Sequence, residues 1–252
     1  MCEKIYYSFI TRDGYKGNAP KYFEPSEFEW SENIESNWEG VKKELDAFLA
    51  SGHELWPYFD QSIVTKKNNW KTIPFGAWGV KFYGNRKKAP FTSALLDKVP
   101  GVVSASFNML DAETRIVPHF GDTNAVMRCH LGIVIPGSLP EVGFEVEGEQ
   151  KSWEEGKLLF FCDAHNHTAW NDSKSFRYIL LFDVIRPEYL KKKRWICSKV
   201  LASLFLQSSA QKLTFLRKLP LFMQMSLFYM AAFAAFFIVP LRNFVSNLIK
   251  GA

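Results

Sequence analysis

Apolar residues first recur at helical spacing in the run SENIESNWEGVKKELDAFLAS, where Ile34, Trp38, Val41, Leu45 and Leu49 fall on one face. The pattern predicts one amphipathic helix packed on whatever follows, capped at its start by Ser31 or a neighbour. From Trp70 to about Pro187 the period changes to alternation. Short β-branched and aromatic runs (FGAWGVKFYG, GVVSASFNML, HLGIVIPG, GFEVEGE, KLLFFCD and RYILLFDVI) are separated by Gly, Pro, Asn and Asp. Many short strands with turn signals between them predict a mainly β sandwich or barrel-like jelly roll, with TSALLDKVPG as a helical turn between two strands.

A third pattern follows RPEYLKKKRW. Between Pro220 and Pro240 the segment LFMQMSLFYMAAFAAFFIV carries no charge, and as a helix it is long enough to cross about 30 Å of hydrocarbon. The expected division is therefore a helical or irregular extension over residues 1–66 and a β domain over 67–188. A basic juxtamembrane or amphipathic linker over 189–218 and a membrane-anchor helix with its tail over 219–252 complete it. A segment at 221–239 lying in the membrane interface is the alternative to one that spans.

Composition changes the picture in three respects. At 252 residues and 47% hydrophobic the chain can bury a sizeable core, and its 23 Phe point to apolar surface facing lipid. A formal net charge of +5 is too modest to argue for nucleic acid, and none is expected as a partner. Cys2, Cys129, Cys162 and Cys197 lie far apart, which predicts free thiols in a reducing compartment. MCEKIYYSFITRDGYKG has no apolar run that would make a signal peptide. Lys and Arg are more frequent before the apolar segment than after it, so the large domain is expected on the cytoplasmic side of a membrane.

Candidate chemistry lies in the histidines. Four of the five, His119, His130, His165 and His167, fall within fifty residues, leaving His53 apart. Alternation along MRCHLGIVIP puts Arg128, His130 and Gly132 on one face and Cys129, Leu131, Ile133 and Ile135 on the other. The same rule groups Asp163, His165 and His167 if their strand persists that far. NDSKS is a turn signal, so FRYILLFDVI is expected to fold back as a hairpin, bringing Arg177 close to the strand of His167. Arg177 then shares an inward face with Ile179 and Leu181, and an inward arginine needs an anion. Imidazoles with two arginines describe a site for a transition metal and a small dicarboxylate, either non-haem Fe(II) or zinc with three ligands and water. Histidines satisfied within a core are the alternative for any one of them.

With these residues in view, PHFGDTNAVMRCHLGIVIP and SWEEGKLLFFCDAHNHTAWNDSKSFRYILLFDVIRPE resemble the aspartyl/asparaginyl β-hydroxylases, Fe(II)- and 2-oxoglutarate-dependent oxygenases built on a double-stranded β-helix. The resemblance runs from about Trp70 to Glu188. It implies that His119 and His167 bind iron and that Arg177 holds the distal carboxylate of 2-oxoglutarate. Arg128 with His130 would address the other end of the cosubstrate. Asp163 corresponds to an acid that holds a water on the metal. Asn108 stands where the family tends to have a serine assisting Arg177. The wider superfamily supplies a third ligand through His-x-Asp. Here Gly121 takes that position, as in the aspartyl/asparaginyl branch, and Asp122 comes one residue late.

The implied reaction consumes O2 and 2-oxoglutarate, releases succinate and CO2, and hydroxylates a C–H bond. Thr123, Asn124 and Trp170 are expected to border the site. The expected substrate is an Asp/Asn-type peptide, protein or amino-acid-derived molecule, with a lipid acyl chain as the alternative. A non-catalytic ligand-binding module of the same fold is the reading from another class.

Overall fold

The computed structural model describes residues 3–11 and 13–250; Cys2 lies outside them. The N-terminal part forms β1 (Tyr22–Phe23), α1 (Trp30–Glu35), α2 (Trp38–Ala50) and β2 (Trp56–Pro57). Next come β3 (Trp70–Ala77), β4 (Val80–Lys81), α3 (Tyr83–Lys88), α4 (Pro90–Asp97), β5 (Val102–Leu110), β6 (Thr114–His119) and β7 (Val126–Val134). The remaining elements are β8 (Val142–Val146), β9 (Glu149–Lys151), β10 (Leu158–Cys162), β11 (His167–Asn171), β12 (Arg177–Ile185), α5 (Lys193–Lys212) and α6 (Leu221–Lys250).

Two antiparallel sheets hold the domain together. The larger runs β1-β10-β7-β12-β5-β3-β2, with β4 paired to β3, and the smaller runs β6-β11-β8-β9. From β5 to β12 the chain changes sheet at every connection except the β8–β9 hairpin. That alternation makes an eight-stranded double-stranded β-helix, the jelly-roll arrangement expected from the strand pattern.

The expected hairpin between the strands of His167 and Arg177 does not form. β11 pairs with β6 and β8, whereas β12 pairs with β5 and β7. Asn171 to Ser175 does turn the chain, but it carries it from one sheet to the other. Asn171 Nδ2 donates to the carbonyls of Leu110, Asp111 and Ser175, which holds this crossing in place.

β7 alternates as its sequence requires. Cys129, Leu131 and Ile133 join Val41, Leu45, Phe48, Leu95 and Leu96 in the cluster that seals the outer face of the larger sheet. Each such side chain, fully buried, contributes about 1.5–3 kcal/mol relative to exposure. The opposite face of β7 looks between the sheets. The amphipathic run at 31–51 is two helices, α1 and α2, and not one. The chain breaks at Ser36 and Asn37, where Asn37 Nδ2 donates to the Asn33 carbonyl at 2.8 Å, a local bond of the kind that competes with helix continuation. Ser31 lies within α1, buried, and does not cap it.

Most of residues 189–218 form α5, which packs on the domain. Ile196 and Val200 of α5 pack with Tyr7, Trp78, Val126 and Ile185 of the domain. α6 is 30 residues long and runs through Pro240. Proline lacks an N–H, which frees the carbonyl four residues earlier. Phe236 supplies that carbonyl, and Arg194 of α5 donates to it at 3.0 and 2.6 Å. The helix is long and apolar enough to cross a membrane over Leu221–Ile249, beyond the expected 221–239.

Candidate active site

β6 and β11 bring the two key imidazoles together. In their register His167 lies directly opposite His119, and the ring centroids are 4.2 Å apart. Nδ1 of His119 is 2.9 Å from the Val117 carbonyl, and Nδ1 of His167 is 2.8 Å from the His165 carbonyl. A carbonyl only accepts, so each Nδ1 carries the proton and each Nε2 keeps a lone pair. Burial lowers the pKa of both rings, and for His167 the neighbouring His119 lowers it further. Both are therefore neutral at pH 7, the form that binds a metal.

His165 does not join them. β10 ends at Cys162 and residues 163–166 turn, so the alternation that grouped Asp163, His165 and His167 is interrupted. His165 packs edge-on against Tyr15 and places Nε2 2.8 Å from the Ala19 carbonyl, away from the cleft. Asp163 is buried, with Oδ1 3.8 Å from His167 Nε2. Burial pushes its carboxyl pKa up, and the Arg128 guanidinium beside it opposes that rise.

Arg128 and His130 share the inward face of β7, as the alternation predicts, and line one cleft with His119, His167, Arg177 and Asn108. The cleft encloses about 390 Å³ of space not filled by atoms, including solvent at its mouth. Arg128 is already committed to carboxylates. Its Nη1 pairs with Asp163, while Nε and Nη2 donate to Asp183 at 2.8 and 3.2 Å. Burial alone would depress its pKa, but the two acids more than reverse this.

Arg177 is different. It is 2% exposed, Nε and Nη1 have no hydrogen-bond acceptor among the described residues, and its guanidinium carbon lies 4.5 Å from the Trp153 ring centroid. Without a carboxylate to balance it, burial pulls its pKa down to about 9. His130 also has an unmet need. Trp153 Nε1 donates to His130 Nδ1 at 3.1 Å, so the proton of this neutral ring sits on Nε2, and Nε2 has no partner. Three buried nitrogens on Arg177 and His130 thus lack acceptors at one place, and a carboxylate ligand supplies acceptors only.

Other expected residues play local roles. Asn108 reaches the cleft, but its Oδ1 accepts from Trp70 Nε1 and its Nδ2 donates to the carbonyl and hydroxyl of Ser106. Asp122 accepts from Ser8 Oγ at 3.0 Å, so its carboxylate is held toward the N-terminal segment. Thr123, Asn124 and Trp170 do not line the cleft. Thr123 and Asn124 are buried in hydrogen bonds to residues 3–6 and 125, and Trp170 Nε1 donates to the Pro140 carbonyl.

Two contributors are not evident from sequence. Trp153 ties His130 to Arg177, and only its place in SWEEG within the family-like stretch could have marked it. Tyr58 stacks on Trp70 with ring centroids 3.5 Å apart and planes 8° from parallel, and its pKa is raised by burial and opposed by Arg128. Nothing in the aperiodic stretch around Tyr58 signals this.

The fit to a metal with an oxoacid is good but incomplete in protein ligands. Two neutral imidazoles present Nε2, and among the described residues no group of three or more His, Cys, Asp and Glu could hold a metal ion. The unpaired donors of the same cleft, Arg177 and His130, suit a carboxylate.

Fold and site define a double-stranded β-helix protein with two histidines and an unbalanced arginine between its sheets. A family model described as aspartyl/asparaginyl beta-hydroxylase matches residues 35–187, and the chain belongs to that family. Among curated relatives, the ornithine lipid ester-linked acyl 2-hydroxylase of Rhizobium tropici is 33% identical over 175 residues, covering 68% of this chain and 62% of that protein. The aspartyl/asparaginyl beta-hydroxylase of Homo sapiens is 31% identical over 184 residues, covering 70% of this chain and 24% of that protein. The chain thus spans less than two thirds of either relative's length. A solved prolyl-4-hydroxylase from Pseudomonas putida aligns at TM-score 0.44 and 15% identity, over 60% of this chain and 87% of that one.

Proposed function

We propose that the protein is an Fe(II)- and 2-oxoglutarate-dependent dioxygenase that hydroxylates a C–H bond of a substrate at a membrane. The observation that carries this reading is the meeting of two Nε2 lone pairs with the unpaired donors of Arg177 and His130 in one cleft. His119 and His167 would hold Fe(II). Arg177 would bind the distal carboxylate of 2-oxoglutarate, and His130 Nε2–H would meet its other end. Iron with 2-oxoglutarate and O2 supplies the oxidising power, with succinate and CO2 as coproducts.

The chain's own residues do the positioning. Arg128, bridging Asp163 and Asp183, would fix the Asp163 carboxyl group beside His167, where it can meet a water. Any further help from Arg128 to the oxoacid comes from the N–H groups its two acids leave over. Asn108 would contribute by holding Trp70, whose ring supports Tyr58 over the site.

A lipid acyl chain is the substrate we place first. The Rhizobium relative is named for such a reaction. The loop after His119 also touches the apolar helix through one short path. Ser8 bonds Asp122, and its neighbour Phe9 stacks on Phe228 of α6. The Asp/Asn peptide reading comes second, favoured by similarity to the human protein, and the cytoplasmic side remains the proposed face. Purified protein given Fe(II), 2-oxoglutarate and ascorbate should form succinate, and His119→Ala should not. Mass spectrometry of lipid and peptide extracts for the gain of one oxygen then separates the substrates. No succinate under any condition would leave only the ligand-binding module.

A further inference from the structure

α6 is apolar enough to span a bilayer, yet its contacts run along the domain. Near its start Phe228 is fully buried against Tyr7 and Phe9. In its middle Phe236 receives both nitrogens of Arg194 and lies beneath that guanidinium, 3.8 Å from ring centroid to carbon. Toward its end Asn243 brackets the β3–β4 turn, with Nδ2 donating to Gly79 O at 2.7 Å and Oδ1 accepting from Lys81 N at 3.0 Å. Arg242 adds a bond to the Lys81 carbonyl. From Phe228 to Asn243 the helix advances about 22 Å at 1.5 Å per residue. A spanning helix that kept these contacts would drag polar loops of the domain most of the way through the hydrocarbon, which they cannot enter unsatisfied.

Among the described residues the opposite side of the helix has no partner. Phe222, Met230, Phe233, Phe237, Leu241 and Phe244 are each more than half exposed and recur at helical spacing along one outward ridge. The segment that carries the ridge bears charge of one sign. From residue 189 onward the sequence holds ten Lys and Arg and no Asp or Glu. Lys191, Lys192, Lys212, Lys218 and Arg242 are exposed. A second copy meeting this face about a two-fold axis would bring the same positive charges together, so self-association is disfavoured. An anionic lipid surface supplies both what the ridge and what the charges need.

We infer that α6 lies flat in the interface of an anionic bilayer, its ridge in the upper acyl region and the domain docked behind it, without crossing. This is independent of the proposed reaction, since depth and turnover are measured separately.

The test uses the full chain in a Cys2→Ser background, with Phe222→Cys, Phe233→Cys and Phe244→Cys each carrying an environment-sensitive fluorophore. Vesicles of phosphatidylcholine, alone or with a quarter phosphatidylglycerol, carry bromine at shallow or deep acyl positions. The three sites should report the same shallow depth and bind the phosphatidylglycerol vesicles more tightly. Lys191→Gln with Lys192→Gln should weaken that binding about fivefold per charge removed. Deep quenching at position 233 with shallow quenching at 222 and 244 would mean a spanning helix and overturn the inference. So would no quenching at any site, including the case where light scattering shows that a dimer covers the ridge. Equal binding to both vesicle types would overturn the choice of anionic lipid.

Discussion

The carboxylate of Asp163 occupies the space that a side chain on Gly121 would need. A Cβ built at residue 121 would collide with Oδ2, Cγ and the main-chain oxygen of Asp163, and Gly121 N also donates to that oxygen at 2.9 Å. The missing acid of the His-x-Asp pattern is thus replaced in space by an acid from the turn after β10. Gly121→Asp should not install a third metal ligand. It should destabilise the fold by about 1–3 kcal/mol, as overpacking does, and lower Fe(II) affinity. Pairing it with Asp163→Gly should not restore the thermal stability, because the main-chain oxygen of residue 163 still meets that Cβ and buried Arg128 loses a carboxylate partner. Melting curves and metal titration of both variants check this.

Arg177 is a buried cation awaiting an anion, so 2-oxoglutarate should stabilise the protein even without turnover. At a hundredfold excess over Kd the gain is about 2.7 kcal/mol, roughly 5–10 °C at this size. Arg177→Met should abolish that gain while raising the Tm of the ligand-free protein, because it removes a charge whose desolvation nothing offsets. A fall in ligand-free Tm would contradict the role given to this side chain.

The same residue sets a pH dependence. Its pKa in the folded protein is lowered to about 9, well below the ordinary arginine value, with burial as the cause. Below pH 9 it is protonated in both folded and unfolded chains, and the full cost of burying the charge is present. Above pH 9, up to the ordinary arginine pKa, only the unfolded chain holds the proton, so this residue's contribution to stability rises with pH. Oxoacid binding has the opposite slope, since it requires the charged form. Affinity for 2-oxoglutarate should be level up to about pH 9 and weaken about tenfold per unit above it, until the pKa in the complex is reached. Calorimetric titration across pH 7 to 10 reads this directly.

Loss of His119 or His167 should cut succinate formation by more than about 100-fold, beyond the roughly 10–100-fold that follows loss of an outer partner of a metal ligand. Equilibrium dialysis with Fe(II) or Co(II) should show the matching loss of metal. His165→Ala should leave metal affinity unchanged, because its ring faces Tyr15 and Ala19.

Trp153→Phe keeps an aromatic face under Arg177 but removes the donor that holds the His130 proton on Nε2. The expected effect is a rise of about tenfold in KM for 2-oxoglutarate, the worth of about one hydrogen bond, with kcat changed much less. An equal fall in kcat would instead place His130 in the reaction itself.

Much of the site was legible residue by residue. Alternation alone put Arg128 and His130 on one face of β7, and set Arg177 in line with Ile179 and Leu181. Helical spacing picked out Ile34, Val41 and Leu45, all of which are buried. The choice of His167 over His165 came from the family resemblance, and register explains it, since His167 opens β11 opposite His119. β6 was hard to see because Pro118 interrupts its pattern, and the strand tolerates proline only because it lies at the edge of the smaller sheet.

What the sequence determined by itself is local: which positions are apolar, which face each residue takes along a strand, and which short segments turn. These depend on the two-residue and 3.6-residue periods of the backbone and on side chains a few positions apart. Only the tertiary structure decided that Asn171–Ser175 crosses between sheets, that Arg128 is balanced by Asp163 and Asp183 while Arg177 is not, and that α6 lies along the domain. Each of those outcomes depends on which distant surfaces bury one another, and that is settled by the packing of the whole chain, which no local period encodes.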